Sequence, residues 1–388
     1  MTDGLADWLR FALTPVSPAR QRRLLAAFGL PGNIFAQSHS HLASVAGADV
    51  ADAVLKEPNP AAMEAALKWA GEEGNHLLTL ADEAYPQALL EIADPPVVLY
   101  LKGNPALLAR PALAMVGSRT PTAQGEANAK AFADSLAKAG LLIVSGLAQG
   151  IDAAAHRGAL AAENGGTVAV IGTGIDRIYP ASNAALAREI AAKGAVLSEF
   201  PLGTPPARWN FPRRNRLIAG LSLGVLVVEA TPESGSLITA RLAASAGREV
   251  FAIPGSIHSP QARGCHRLIR EGAKLVETAE DVFEELRGNL GGNLPKPSGS
   301  APRRAKSRPR AAAHAPSEAE PPAAPAHLAP EAAHVLEALG NEPRDIDTLS
   351  LATGLPVEAL HALLLTLELE GLAARQTGGG FLRLYAPA

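Results

Sequence analysis

Two glycine-bearing loops and a group of arginines carry the chemistry that this chain's residue types and spacings suggest. The apolar run Ala112–Val116 ends in Gly117-Ser118-Arg119. A glycine at a strand end admits close approach of a ligand, Ser118 and free helix N–H groups can hold a phosphate, and Arg119 adds a forked cation. An ordinary tight turn with a surface arginine is the alternative. A second loop, Ser145-Gly146-Leu147-Ala148-Gln149-Gly150-Ile151-Asp152, again joins an apolar run to a helical stretch, which adds Ser145, Gly146 and Gly150 to the anion-binding candidates. A further helix opening, Gly235 to Thr239, offers Ser236 and Thr239 as caps or phosphate donors.

The densest signal lies between Glu199 and Glu229, an interval without a single acid. It holds Arg208, Arg213, Arg214 and Arg216, interleaved with Trp209, Phe211 and Asn215, while Arg177, Tyr179 and Phe200 lie just upstream. In a chain with only 4% aromatic residues, this concentration sets cations for phosphates beside faces for stacked bases. The competing reading makes Trp209 and Phe211 caps of the core and the arginines a solvated face. A second acid-free interval, Phe251 to Arg270, carries His258, Arg263, His266, Arg267 and Arg270.

Several other chemistries are excluded or disfavoured. GxxxxGK[ST] occurs nowhere, so there is no P-loop, and Ile171-Gly172-Thr173-Gly174 supplies only half of GxGxxG, with Arg177 at the third glycine place. A nicotinamide or flavin dinucleotide is therefore not expected. Gly220-Leu221-Ser222-Leu223-Gly224 matches the nucleophile elbow by letter, but the strand follows it instead of preceding it. Asp152 and His156, four apart, read as a helix-start carboxylate and a packing histidine rather than an acid–base pair. The single cysteine, Cys265, excludes a disulfide framework and Cys-cluster zinc sites. Neither a metal, a cofactor nor a catalytic residue is expected.

The elements that must position these residues follow from composition. Apolar runs recur at 112–117, 141–146, 167–172, 195–200, 224–230 and 249–255, with helical stretches between most of them. Strands without polar alternation, separated by helices, mean a parallel sheet covered on both faces. The fold class is thus α/β, with a doubly wound Rossmann-like domain over 76–287 whose ligands sit beyond the carboxyl ends of the strands. Residues 1–75 read as short helices broken by Pro15, Pro18, Gly29 and Pro31, a bundle of the SAM or helix-hairpin-helix sort. The Gly-, Pro-, Ala- and Arg-rich stretch 288–330 cannot bury enough surface to offset chain entropy and reads as a disordered linker. Residues 331–388 form a winged-helix pattern: amphipathic helices, a turn at Gly354, a helix opened by Pro356 and a hairpin arm in GGGFLRLYAP.

Charge sorts with these parts. Basic and acidic residues number 8 and 12 before residue 111, 17 and 13 from 111 to 280, and 3 and 8 after residue 330. A mildly basic middle between acidic ends points to an anionic ligand bound centrally. No apolar run approaches the roughly 20 residues of a membrane helix, and the first residues lack the features of a secretory signal. A soluble, reduced, cytoplasmic setting is expected, with no membrane.

In order along the chain, MVGSR, SGLAQGIDAAAHRGAL, GTGIDRIYP, FPRRNRLIAGLS, ESGSLITARLAASAGREVFAIPG and GCHRLIREGAKLV resemble the DNA-processing protein A (DprA/Smf) family over about residues 80 to 280. The flanking parts also resemble that family's three-part architecture. The resemblance implies a non-enzymatic protein that binds single-stranded DNA, protects incoming DNA in natural transformation and loads the RecA recombinase onto it. Implied partners are single-stranded DNA, RecA, a second copy of the chain and a single-strand-binding protein. Arg119 matches the family's phosphate-contacting arginine, and His266 and Leu275 align with its dimer interface. Ala181 departs from the lysine that relatives often carry after Tyr179-Pro180. The competing class is a Rossmann-like hydrolase of nucleoside monophosphates, which needs a PGGxGTxxE loop. Here Glu233-Ser234-Gly235-Ser236 and Pro254-Gly255-Ser256 stand instead.

Overall fold

A computed structural model describes residues 2–290, 329–340, 344–375 and 380–384. They fall into two compact units, a large one organised on a sheet and a smaller C-terminal one.

The large unit is built on nine strands: β1 (Asn75–Thr79), β2 (Val98–Gly103), β3 (Ala112–Val116), β4 (Leu142–Ser145), β5 (Thr167–Val170), β6 (Ala195–Ser198), β7 (Gly224–Val227), β8 (Glu249–Ala252) and β9 (Lys274–Leu275). Their spatial order is β1-β2-β6-β5-β4-β3-β7-β8-β9. From β6 to β9 all neighbours are parallel, while β1–β2 and β2–β6 are antiparallel. The chain starts this parallel region at β3, winds outward through β4 and β5 to β6, then returns to lay β7 on the other side of β3. That reversal between β3 and β7 is the switch point at which open α/β sheets hold ligands.

Side-chain alternation assigns each strand residue to a face. In β3, Ala112, Ala114 and Val116 join the core on one side and Leu113 and Met115 the core on the other. The first core is closed by helices Asn210–Gly220, Ser236–Ser245 and Arg263–Arg270; the second by Ala123–Lys138, Ile151–Ala161 and Ala279–Leu290. The six expected apolar runs are β3 to β8. Three strands lie outside that expectation. β1 and β2 extend the sheet antiparallel, β1 just before and β2 within the stretch read only by family resemblance, and β9 is too short to show a period.

Six helices between Thr2 and Ala70 precede β1. They do not form a core of their own: Trp8, Leu9, Phe11, Leu24, Val50 and Val54 share one with Val98, Tyr100, Val196 and Ile190 of the sheet and its helix, and Trp69 packs on Tyr100 at 5.7 Å. Gly288–Leu290, expected in the linker, end the helix Ala279–Leu290, whose Val282, Phe283 and Leu286 are buried. The remainder of the expected linker up to residue 328 lies outside the described residues.

The C-terminal unit holds helices Pro330–Leu339, Ile346–Thr353 and Val357–Leu369 and a two-stranded hairpin, β10 (Ala373–Arg375) and β11 (Phe381–Arg383). Asp345 caps the second helix, its carboxylate accepting from the Thr348 N–H at 2.7 Å. Gly354 ends that helix at φ +69°, a left-handed conformation that glycine adopts without Cβ strain. Phe381 and Leu382 of the expected arm are buried, with Phe381 packed in the core beside Val335, Leu360 and Leu364.

Candidate nucleic-acid interface

A crater of about 700 Å³ opens at the carboxyl ends of β3 and β7. Its floor comes from the Gly117–Thr120 loop after β3 and its opposite rim from Thr231 and Ser234–Ser236 after β7. In the first two expected loops, Gly117 and Gly150 are needed for close backbone approach. A Cβ on Gly117 would lie 2.7 Å from Ile151 and 2.8 Å from the Glu229 carbonyl; one on Gly150, at φ +75°, would meet the Ser118 carbonyl at 2.4 Å. The loops are bonded to each other and to β7: the Ser118 N–H donates to the Glu229 carbonyl at 2.7 Å, and the Ile151 N–H to that of Ser118 at 3.1 Å. The floor is therefore preorganised rather than a mobile surface loop.

Asp152 holds the second loop. Its buried carboxylate accepts the N–H groups of Gly146 at 3.1 Å and Ala148 at 3.3 Å, as the helix-start reading expects. It also lines the crater beside Arg214 and Arg119; burial pushes its carboxyl up, against the pull of Arg214, the two N–H groups and Arg119. His156 is packed out of water. The Thr167 hydroxyl donates to the Ile143 carbonyl, so His156 must carry its proton on Nδ1 and donate it to Thr167 at 2.7 Å. Burial drives the imidazole down to about 3, with nearby Arg214 adding to the fall. This neutral histidine is no acid–base partner for Asp152.

The helix Asn210–Gly220 sorts its side chains to two sides. Phe211, Arg214, Asn215 and Ile218 line the crater. Phe211 is seated over Gly172, where a Cβ would come within 3.0 Å of its ring, and packs on Tyr179 at 5.7 Å with Arg119 5.7 Å from its centroid. Arg214 is buried: Nη1 donates to the carbonyls of Gly146, at 2.6 Å, and Val170, and Nε to Asn215 Oδ1 at 3.1 Å. Burial lowers its pKa to about 10, with Asp152 opposing. It is a fixed positive charge in the crater wall.

The other side of the helix corrects the acid-free reading. Glu199, at the edge of that interval in sequence, is buried and accepts from Arg213 at 3.1 Å and from Arg216, which also pairs with Asp94 at 3.1 Å. Burial pushes the Glu199 carboxyl up while Arg216 and Arg213 hold it down. Arg213 is thus committed to an ion pair and to the Phe200 ring, 5.3 Å away, and does not line the crater.

Of the expected site residues, the crater brings together Gly117, Ser118, Arg119, Arg208, Phe211, Arg214, Asn215, Ser236 and Thr239. Ser145 is fully buried, donating to the Met115 carbonyl at 2.6 Å, and Gly146 and Gly150 act through backbone fit. Arg177 lies outside the crater beside Asp176, 4.0 Å away, and Trp209 is 77% exposed outside it. The dimer candidates stand elsewhere. His266 donates Nε2–H to the Gly255 carbonyl at 2.9 Å, and Leu275 lies 44% exposed on the edge strand β9. Tyr179, expected only among the aromatics just upstream, joins the crater, while residue-by-residue reading did not assign Thr231 or Ser234 to it. Ser234 bonds Ser236 at 2.7 Å, and its adjacency to Ser236 was the only signal available. Three arginines against one carboxylate leave the crater lining positive. Among the described residues no group of histidine, cysteine and acids is placed to hold a metal.

The family model described as DNA recombination-mediator protein A matches residues 76–287, and that of the DprA winged helix domain matches 319–379. Protein Smf of Escherichia coli is 41% identical over 323 residues, 83% of this chain and 81% of that protein. The DNA processing protein DprA of Streptococcus pneumoniae is 51% identical over 208 residues, 53% of this chain and 73% of its own. The crystal structure of the Streptococcus pneumoniae protein superposes with a TM-score of 0.64 at 39% identity, covering 71% of this chain and 95% of that one. DNA processing protein A from Helicobacter pylori, whose structure is described as showing a single-stranded DNA binding mode, gives 0.50 at 32% identity over 55% of this chain and 96% of its own.

Proposed function

Because this chain belongs to the DNA-processing protein A (DprA/Smf) family, we propose that its crater binds the sugar-phosphate backbone of single-stranded DNA. One observation carries the reading: Arg119, Arg208 and Arg214 converge with the Gly117–Ser118 backbone, the Ser236 helix end and the Phe211–Tyr179 aromatic wall at the switch point of the sheet. Cations neutralise phosphates while ring faces stack any base, which suits single strands and is sequence-tolerant. Duplex DNA keeps its bases stacked on each other and cannot use Phe211 and Tyr179 in this way.

The site is read as one that binds rather than cleaves. Asp152, the sole carboxylate lining the crater, is committed through one oxygen to the two backbone N–H groups that hold the second loop in place. Protection of incoming DNA in transformation and loading of RecA are the cellular roles this reading extends to. A second copy would join through β9 and the helix Arg263–Arg270. Single-strand-binding protein is a further partner on the same reading. The parts would divide as helical residues 1–74 that share the sheet's core, a DNA-binding body over 75–290, a linker over 291–329 and a winged helix over 330–388. No single helix among the described residues is long and apolar enough to cross a membrane.

A titration of labelled single-stranded and duplex oligonucleotides across salt concentrations tests the proposal. Tighter, salt-sensitive binding of the single strand is expected. Equal affinity for both forms, or release of free base from nucleoside monophosphates, would overturn it in favour of a general polyanion site or a hydrolase.

A further inference from the structure

Among its described residues, the C-terminal unit carries an apolar ridge that lies outside its own core. In the helix Val357–Leu369, Leu360, Leu364 and Leu367 are buried with Val335, Leu336 and Leu339. On the solvent side, Glu358, Ala362, Leu365 and Leu369 follow at i, i+4, i+7 and i+11, the spacing of one helix face. Leu365 is 57% and Leu369 81% exposed, and docking would take both side chains out of water. Glu358 stands at one end of the ridge, and Glu368 and Glu370 flank the other; the helix contains no lysine or arginine.

Charge selects the occupant. In residues 331–388 eight acids face three bases, so a nucleic acid or an anionic lipid surface meets a like-signed body. A second copy would set two acid-flanked ridges against each other, which is unfavourable for the same reason. The complement is an apolar stripe at i, i+3 or i+4 and i+7 with lysine or arginine on either side, since apolar anchors supply affinity and opposite rims supply approach and register.

We propose that the ridge Ala362–Leu365–Leu369, with Glu358 and Glu368 beside it, docks a cationic amphipathic helix of a partner protein. The inference is independent of the crater's ligand.

The test uses the full chain and three labelled synthetic peptides of about 20 residues, long enough to form a helix on docking. One carries a leucine stripe with lysine and arginine around it; the second has the same residues shuffled to break the stripe; the third keeps the stripe and replaces the bases by glutamate. The first is expected to bind, and the other two to bind weaker by about tenfold or more. Leu365→Ser with Leu369→Ser should weaken the first peptide by about tenfold. Separately, Glu358→Gln with Glu368→Gln should weaken it and flatten its salt dependence. Single-stranded DNA affinity should not change in either variant. Leu365, Leu369 and Glu358 are exposed and Glu368 is half-buried, and a melting curve for each variant checks that the fold is kept. The proposal is overturned by no binding of the first peptide, by binding that both double variants leave unchanged, by equal binding of the acidic peptide, or by a self-associated species that the leucine variant dissociates.

Discussion

Removing the Arg119 guanidinium should weaken single-stranded DNA binding without weakening the fold. Arg119 is exposed in the loop that follows β3, where it lies over the Phe211 face, 5.7 Å away, and among the described residues it forms no ion pair. Arg119→Ala therefore leaves no buried group unpaired. A charge-assisted hydrogen bond to phosphate contributes about 1.5–3 kcal/mol. At 1.4 kcal/mol per tenfold, the expected loss is roughly 10- to 150-fold in Kd. One phosphate contact fewer should also lower the slope of log K against log salt by about 0.7, the single-strand value. Arg177→Ala is the internal control: that side chain is as cationic but lies outside the crater beside Asp176, and its slope should match the unmodified chain. Fluorescence anisotropy with one oligonucleotide at four or more salt concentrations reads both quantities. If Arg119→Ala keeps the affinity and the slope, or if Arg177→Ala loses as much as Arg119→Ala, the crater is not where the phosphates sit.

Other outcomes follow from the same geometry. Phe211→Ala should lower single-strand affinity by about 1–3 kcal/mol while leaving the salt slope unchanged, because a stacked base is lost and no phosphate contact is; a changed slope would mean that the ring supports Arg119 instead of a base. His156 is neutral in the fold down to about pH 3 but titrates near 6.5 when unfolded, so its contribution is complete above 6.5 and falls as the pH drops below it. Urea unfolding at pH 5.5 should show about 1.4 kcal/mol of loss from this group, absent in His156→Leu, and equal pH dependence in the two proteins would refute the burial argument. Leu275→Arg places a charge on each side of any twofold contact through β9 and should yield monomers in sedimentation; an unchanged dimer would move the interface elsewhere. A chain ending at residue 330 should keep single-strand affinity within a few-fold, and a loss of a hundredfold or more with the dimer intact would make the winged helix a DNA-binding module.

The strands that build the site were legible because their residues are apolar on both faces: Leu142–Ser145 and Gly224–Val227 show no polar alternation, a pattern incompatible with an open, solvated sheet. The glycine loops were legible for a related reason, since Gly117 and Gly150 occupy places where a Cβ would strike backbone atoms. The antiparallel strands Asn75–Thr79 and Val98–Gly103 were not assigned, because their place on the sheet edge depends on pairing with Ala195–Ser198, a neighbour almost a hundred residues away in the chain. Shared packing was equally hidden. Nothing in the periodicity of the first helices says that Trp8 and Phe11 will share a core with Val98 and Tyr100 as well as with the helices beside them.

The arginines show most directly what a linear reading misses. An interval free of acids in sequence is not free of them in space: Glu199 ends its strand pointing inward, and Asp94 arrives from a loop a hundred residues earlier. Helical spacing then separates four arginine-bearing positions by function. Arg213 and Arg216, three apart, face the buried Glu199, whereas Arg214 turns to the Gly146 and Val170 carbonyls and Arg208, before the helix, stays free at the crater's edge. Breaking a buried pair by removing one partner costs about 3–5 kcal/mol, so Glu199 clamps the helix and thereby fixes Phe211, Arg214 and Asn215 in the crater wall. The positive charge that reaches the ligand is accordingly smaller than the arginine count suggests, and what the remaining pairs contribute is its position.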